Sequence, residues 1–163
     1  HTVAQVLLTG EDVKNDQRRH NMRSTIFRLL ELGALPIINE NDTISTEEIS
    51  IGDNDTLSAM VAASIRADLL ILLSDINGLY TDDPRTNKNA KLIPYVDHID
   101  AALESMAKGA DSNYGTGGMT TKIAAAKIAA EAGVDMVIAN GEHLSNISRI
   151  LNGEEIGTLF KAM

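Results

Sequence analysis

The sequence predicts an α/β fold with a largely parallel central sheet, and two observations support this class. Short apolar runs rich in β-branched residues alternate along the chain with longer segments of helical periodicity. This order of elements is typical of parallel strands joined by crossover helices. The run Ala34 to Ile38 also lacks regular alternation of polar and apolar residues. We therefore expect this strand to be covered on both faces, as parallel crossovers require.

Each element follows from its local pattern. Met22, Ile26 and Leu30 recur at helical spacing between Asp16 and Leu32, and Gly33 is expected to end that helix. The predicted strands are Val3 to Leu8, Ala34 to Ile38, Asp68 to Leu73, Val134 to Ala139 and Gly157 to Phe160. The other predicted helices are Thr56 to Arg66, a helix that begins near Thr120, and Leu144 to Leu151. The polar, turn-rich segment from Gly78 to Asp97 is predicted to form a protruding hairpin or lid.

Composition indicates one soluble domain over residues 1–163. A chain of 163 residues with 44% apolar residues can bury a single core. A net charge of −9 argues against a nucleic-acid groove or a binding surface for anionic membranes. The absence of cysteine excludes disulfides and thiolate metal sites. No apolar run is long enough to cross a bilayer, so we expect a cytoplasmic protein.

The most informative motif is a glycine-rich segment directly before the helix expected near Thr120. It contains Gly115, Gly117 and Gly118, and Lys122 follows one turn into the helix. Glycine lets the backbone approach a ligand closely, and the first amides of a helix have no acceptor within the helix. The pattern predicts a phosphate site to which Lys122 adds a mobile positive charge. Taken alone, the segment is also compatible with a flexible connection.

Three polar clusters follow predicted strands or precede a predicted helix. They are Asn39 to Asp42, Gly52 to Asp55, and Ser74-Asp75 with the following Asn77 to Tyr80. Ligands of open α/β sheets bind at the carboxyl ends of the strands, where these clusters are expected. Turns and helix caps explain single members, and either Asn54 or Asp55 fits a simple N-cap. The number of polar residues nevertheless favours binding of a small polar ligand.

Asp55 and Lys122 are each predicted to lie near the start of a helix. If these two helix starts face each other, the carboxylate and the ammonium form an ion pair. Such a pair holds the lysine ready for a phosphoryl group.

Four stretches in this order resemble the amino acid kinase family over essentially the whole chain. They are Asn39 to Asp42, Gly52 to Asp55, Leu73 to Tyr80, and Gly115 to Lys122. The first two, together with Gly-Thr-Gly-Gly-Met, are similar to members that phosphorylate glutamate. The resemblance implies a three-layer αβα sandwich with a largely parallel central sheet. It also implies a transferase that uses ATP to convert L-glutamate to L-glutamyl 5-phosphate, the first step of proline biosynthesis.

The resemblance also implies roles for individual residues. Asp42, Asn54 and Asp55 match glutamate-binding positions, and Ser74 and Asp75 match a nucleotide-contacting pair. The matched nucleotide loop comprises Thr116, Gly117, Gly118, Met119, Thr120, Thr121 and Lys122. Lys122 is expected to neutralise the transferred phosphoryl group, and Asp55 is expected to organise the catalytic lysines. Magnesium is expected to be held mainly by nucleotide phosphates and water, so we predict no protein metal ligand.

The chain also departs from the family pattern. The opening strand, a glycine loop with a second phosphate-contacting lysine, and a serine loop that contacts glutamate do not precede His1. An RNA-binding-like domain, which some members carry, does not follow Met163. We therefore expect residues 1–163 to be the C-terminal portion of a kinase domain, with little or no activity alone. The family further implies a homo-oligomer and feedback inhibition by proline.

Two alternatives remain open from the sequence. A family member that phosphorylates aspartate or acetylglutamate would share the Ser-Asp and glycine-loop features, but should differ between Asn39 and Asp42. A non-catalytic ligand sensor would bind glutamate or proline without turnover.

Overall fold

The computed structural model describes residues 1–44, 53–109 and 118–163, with side chains of 108 and 109 excepted. The elements in chain order are β1 (Thr2–Leu8), α1 (Gly10–Lys14), α2 (Asp16–Glu31), β2 (Ala34–Glu40), α3 (Asn54–Ile65), β3 (Leu69–Ser74), β4 (Tyr95–Val96), α4 (Ala101–Gly109), α5 (Met119–Glu131), β5 (Asp135–Asn140), α6 (Ser145–Leu151) and β6 (Thr158–Phe160). Every predicted strand and helix is present within a few residues of its expected bounds. The sequence did not predict α1, β4 or α4.

The strands form two sheets within the described residues. β1 and β2 pair in parallel, and the second sheet has the order β3-β5-β6-β4. β3 pairs in parallel with β5, and β4 pairs in parallel with β6, whereas β5 and β6 are antiparallel. The α/β class with largely parallel pairing is therefore confirmed. α3 packs against both β2 and β3, so it links the two sheets.

The expectation that β2 is covered on both faces was wrong for the described residues. Leu35 and Ile37 are 56% and 53% exposed, and burial alternates along the strand. In β1, Val3 and Leu7 are exposed in the same alternating manner. Helices α2 and α3 pack against β2, and the opposite side chains of the strand face outward. An apolar run therefore predicted the strand correctly but not the covering of its second face.

Among the residues that the structure describes, two hydrophobic clusters form the core, and α3 contributes to both. Ala59 and Ala62 lie in the larger cluster, which is built around α5 and the four-stranded sheet. Leu57 and Val61 lie in the smaller cluster beneath β1 and α2. Small residues on one side of α3 allow α5 to approach closely, as the packing between these two helices requires. This packing brings the starts of α3 and α5 together.

The segment predicted as a hairpin has hairpin pairing. The Thr81 amide donates to the Lys91 carbonyl at 2.9 Å, and the Ile93 amide donates to the Leu79 carbonyl at 2.8 Å. The buried Thr158 hydroxyl accepts from the Leu79 amide at 2.7 Å and donates to the Ile93 carbonyl at 2.6 Å. One side chain of β6 thus holds both strands at the base of the hairpin. Within the described ranges, no helix is long and apolar enough to span a membrane.

Candidate active site

The start of α3 is capped by Asp53. Its carboxylate accepts hydrogen bonds from the Thr56 amide at 2.7 Å and from the Thr56 hydroxyl at 2.9 Å. The sequence had suggested Asn54 or Asp55 for this role, but both lie inside the first helical turn. Because Asp53 satisfies the cap, the Asp55 carboxylate is available for a tertiary contact.

Asp55 makes the ion pair with Lys122 that the sequence predicted. The Lys122 ammonium donates to Oδ2 of Asp55 at 3.0 Å, and the two side chains are 8% and 19% exposed. The pair joins residues that are 67 positions apart in the chain. Burying an ammonium is costly unless an opposite charge and hydrogen bonds compensate it, so the geometry of this pair constrains both helices. Lys122 is thus held in place, rather than mobile as the sequence had suggested.

Thr121 adds a second donor to the same carboxylate. Its hydroxyl lies 2.9 Å from Oδ2 of Asp55 and 2.8 Å from the Gly118 carbonyl oxygen. A hydroxyl has only one proton, so these two acceptors share it. When the proton points to Asp55, Thr121 and Lys122 both hold the same carboxylate oxygen. The first turn of α5 is thereby fixed against the first turn of α3.

The start of α5 has the features of an anion site. Gly118 is the N-cap residue, with φ −78° and ψ −174°, and it has no side chain to cap the helix. The first turn of α5 carries no acidic residue. The positive end of the helix dipole therefore lies beside Lys122, at a helix start whose N-cap residue offers no side chain. Met119, Thr120 and Thr121 lie in this turn, whereas Thr116 and Gly117 lie outside the described residues.

Ser74 and Asp75 lie where β3 ends. The Ser74 hydroxyl donates to Oδ1 of Asp75 at 3.2 Å. Oδ2 of Asp75 accepts from the Arg85 guanidinium at 2.9 Å, and both of these side chains are mostly exposed. Arg85 lies in the hairpin, so this contact turns the hairpin back towards the end of β3. Arg85 could not be identified from the sequence, because a turn-rich segment gives no indication of which residue reaches another loop.

The two remaining predicted glutamate contacts lie at other points of the described structure. Asp42 is exposed on the turn that follows β2, and Asn54 is exposed at the first position of α3. In the described ranges, no hydrogen bond or ion pair links either side chain to the pair of Asp55 and Lys122. Their exposure is compatible with ligand contact, and their roles stay predictions.

The topology places these groups at one edge of the fold. α3 follows β2 and leads into β3, while α5 leads into β5. Each of these two helices packs back along the strand that follows it, so the starts of α3 and α5 lie near the carboxyl ends of β3 and β5. This edge is where parallel α/β sheets bind ligands. It combines a buried lysine, a helix start at a glycine N-cap and exposed polar side chains, which is a chemistry suited to a phosphate-bearing ligand.

The described residues contain no group of three or more His, Asp or Glu side chains that is arranged to hold a metal ion. A magnesium ion at this edge would need most of its oxygen ligands from phosphates and water. Mg²⁺ is commonly bound in this way next to nucleotides.

The chain belongs to the amino acid kinase family, because the model of that family matches residues 1–140. A crystal structure of a UMP kinase from Bacillus anthracis aligns with a TM-score of 0.60 and 18% identity, over 85% of this chain and 50% of that one. At this level of identity the likeness concerns the fold alone.

Two curated relatives are much more similar in sequence. The glutamate 5-kinase of Carboxydothermus hydrogenoformans is 56% identical over 157 residues, which are 96% of this chain and 42% of that protein. The glutamate 5-kinase of Clostridium perfringens strain 13 is 51% identical over 166 aligned positions, 99% of this chain and 62% of that protein. The chain thus spans about half the length of these relatives.

Proposed function

We propose that this protein phosphorylates the γ-carboxylate of L-glutamate with ATP and forms L-glutamyl 5-phosphate, the first step of proline biosynthesis. The observation that carries the proposal is the buried pair of Asp55 and Lys122 at the start of α5, where Gly118 is the N-cap residue. The similarity to glutamate 5-kinases over 96–99% of the chain supports glutamate as the acceptor.

A carboxylate acceptor determines what the site must do. The γ-carboxylate is already ionised at neutral pH and is itself the nucleophile, so no general base is required. It must approach an anionic phosphoryl group, and the main tasks are alignment and neutralisation of charge. Lys122 would place its ammonium beside the transferred group, and the first amides of α5 would donate hydrogen bonds to phosphate oxygens.

Asp55 has a positioning role in this proposal. Its contacts with Lys122 and Thr121 fix the lysine side chain before substrate binds. A preorganised charge needs no rearrangement during the reaction, which is the main source of electrostatic catalysis. Asp42 and Asn54 would bind glutamate, and Ser74 and Asp75 would contact the nucleotide beside Thr116 to Lys122. A magnesium ion bound to the nucleotide phosphates would supply further positive charge.

An ADP-release assay coupled to NADH oxidation tests the proposal on the full-length protein. L-glutamate, L-aspartate and N-acetylglutamate are compared as acceptors, with and without magnesium. We expect turnover with glutamate and less than about a hundredth of that rate with the other two, because a site built for one polar substrate rejects analogues strongly. Turnover with aspartate or acetylglutamate instead would show that glutamate is not the acceptor. ATP binding without turnover on any acceptor would favour a ligand sensor.

The same protein can be tested for the remaining parts of the proposal. A homo-oligomer, inhibition by proline and a cytoplasmic location are supported by family resemblance and composition alone. Light scattering measures the first, and a proline titration in the coupled assay measures the second.

A further inference from the structure

The loops that follow β3 and β5 are joined by a chain of side-chain amides. The side-chain amide of the buried Asn146 donates to the backbone carbonyl oxygen of Asn140 at 3.0 Å. The Asn140 side chain accepts from the Glu142 amide at 2.8 Å and donates to Oδ1 of Asn77 at 3.0 Å. The Asn77 amide in turn lies 3.3 Å from the Tyr80 hydroxyl. These contacts connect the first turn of α6 with the loop that follows β3.

The register of the sheet explains why this connection bears on Ser74 and Asp75. Ser74 and Asn140 are paired at the ends of β3 and β5. One residue further, the Gly141 amide donates to the Ser74 carbonyl at 2.8 Å. The loop after β3 is therefore held at Ser74 by the backbone and at Asn77 by the Asn140 side chain. Asp75 lies between these two points of attachment.

The backbone at Gly141 passes very close to the end of β3. A Cβ atom at this position would lie 3.2 Å from Cβ of Leu73 and 3.5 Å from the Ser74 carbonyl oxygen. The two loops are thus in contact. Because both amide functions of Asn140 already bond within the protein, its side chain is suited to holding the loop rather than to binding a ligand.

We propose that Asn140 is a positioning residue for nucleotide binding, and that it acts through Asn77 on the loop that carries Ser74 and Asp75. This inference rests on the proposed function for the nucleotide role of these two residues. Without the bridge, the loop between the end of β3 and the Leu79 amide held by Thr158 loses its attachment at Asn77 and samples more conformations. Nucleotide binding must then order the loop, which lowers affinity without changing the phosphoryl-transfer groups.

The test compares Asn140→Ala, Asn77→Ala and the double variant in the full-length protein. ADP affinity is measured by isothermal titration calorimetry, which needs no acceptor substrate. Each single variant is expected to weaken ADP binding about five- to tenfold, since one neutral hydrogen bond is lost. The double variant should bind ADP with about the same affinity as each single variant, because both substitutions remove the same bridge. Where turnover is measurable, the KM for ATP should rise by the same factor, with kcat and the KM for glutamate within about twofold.

The control is Asn21→Ala, which removes an exposed amide on α2 that accepts from Gln17 at 3.3 Å, away from the strand ends. It should bind ADP as the parent protein does. Unchanged ADP affinity in Asn140→Ala, with only a lower melting temperature, would overturn the inference, because the bridge would then be merely structural. Weaker ADP binding in Asn140→Ala together with unchanged ADP binding in Asn77→Ala would also overturn the inference. A parent protein that binds ADP but does not phosphorylate glutamate would refute the proposed acceptor and leave this comparison intact.

Discussion

Lys122 is the residue at which burial, charge and position on the helix coincide. The side chain is 8% exposed and lies at the fourth position of α5. If its charge stabilises the transferred phosphoryl group, Lys122→Ala should lower kcat with glutamate about a hundredfold or more. The coupled ADP-release assay measures the change, and circular dichroism verifies that the variant is folded.

Lys127→Ala is the matched control for this substitution. Lys127 lies on the same helix, but its ammonium is exposed and pairs with Glu104 at 3.0 Å. An exposed pair of this kind contributes little to stability, and we expect no change in turnover. Equal losses of activity in both variants would show that the effect of Lys122 is a property of the helix and not of the site.

Thr121 offers a finer test of how the carboxylate is held. Thr121→Val removes the hydroxyl that contacts Asp55 and keeps the branched shape, whereas Thr121→Ser keeps the hydroxyl. We expect Thr121→Val to lower kcat about tenfold, because a charge-assisted hydrogen bond to the carboxylate is lost. Thr121→Ser should remain within about threefold of the parent. If the serine variant is as slow as the valine variant, the methyl group and not the hydroxyl matters.

The sequence indicated Asp55 and Lys122 because each lies in a distinctive local pattern before or within a helix. It did not identify Asp53 as the cap, since three neighbouring residues have side chains that can cap a helix. Nor did it identify Thr121 as a partner of Asp55, or Arg85 as a partner of Asp75. Those contacts depend on the packing of segments that are distant in sequence, which local spacing does not encode.

At the scale of elements, hydrophobic periodicity and glycine positions located most strands and helices. Two of the three elements missed were short, namely the five residues of α1 and the two residues of β4, whereas α4 has nine residues. Short elements carry too few residues for a period to be recognised, and their formation depends on tertiary contacts. The exposure of one face of β2 was also not predicted, because an apolar strand pattern does not indicate which elements pack against the strand.

The attachment of β6 depends on a glycine. Gly157 has φ +77°, and a Cβ atom there would lie 2.0 Å from the Ile138 carbonyl oxygen. That oxygen belongs to the backbone of β5 and cannot rotate away. Gly157→Ala should therefore lower the free energy of unfolding by about 3 kcal/mol or more. Urea denaturation followed by circular dichroism measures this loss.

Gly153→Ala separates the steric clash from backbone strain. Gly153 has φ +84°, but a Cβ atom there would meet nothing within 4 Å. We expect Gly153→Ala to lower the free energy of unfolding by only about 1–2 kcal/mol, because a residue with a side chain is strained in a left-handed conformation. Similar losses in both variants would mean that the segment before β6 moves to accommodate the extra atom.

At the scale of the whole molecule, the last residues of the chain tie several elements together. The Lys161 amide donates to the Val96 carbonyl at 2.9 Å, and the Met163 amide donates to the Ala130 carbonyl at 3.2 Å. The carboxylate of Asp135 accepts from the Lys161 ammonium at 2.7 Å and from the Ala162 amide at 2.8 Å. These contacts join β4, β5 and α5 around β6. The large hydrophobic cluster is thus held by polar contacts at its edge.

Asp135 makes this arrangement dependent on pH. Burial raises the pKa of its carboxyl group, but the hydrogen bonds from Lys161 and the Ala162 amide outweigh that effect, so the pKa lies below its ordinary value of 3.8. A carboxyl group whose pKa is lower in the folded state stabilises the fold above the unfolded pKa. That contribution is lost as the pH falls through the folded pKa. The parent protein should therefore lose more stability in acid than a variant that cannot titrate at this position.

Asp135→Asn tests this dependence, because asparagine keeps an acceptor for the Ala162 amide and removes the charge. At pH 7 the variant should be less stable than the parent by about 1 kcal/mol, the size expected for a partly exposed pair with an additional hydrogen bond. Thermal unfolding at pH 7, 5 and 3 should show a difference that is constant between pH 7 and 5 and smaller at pH 3. Glu155→Gln, an exposed carboxylate near β6, should match the parent at every pH. A difference that persists unchanged at pH 3 would mean that Asp135 acts through packing and not through its charge.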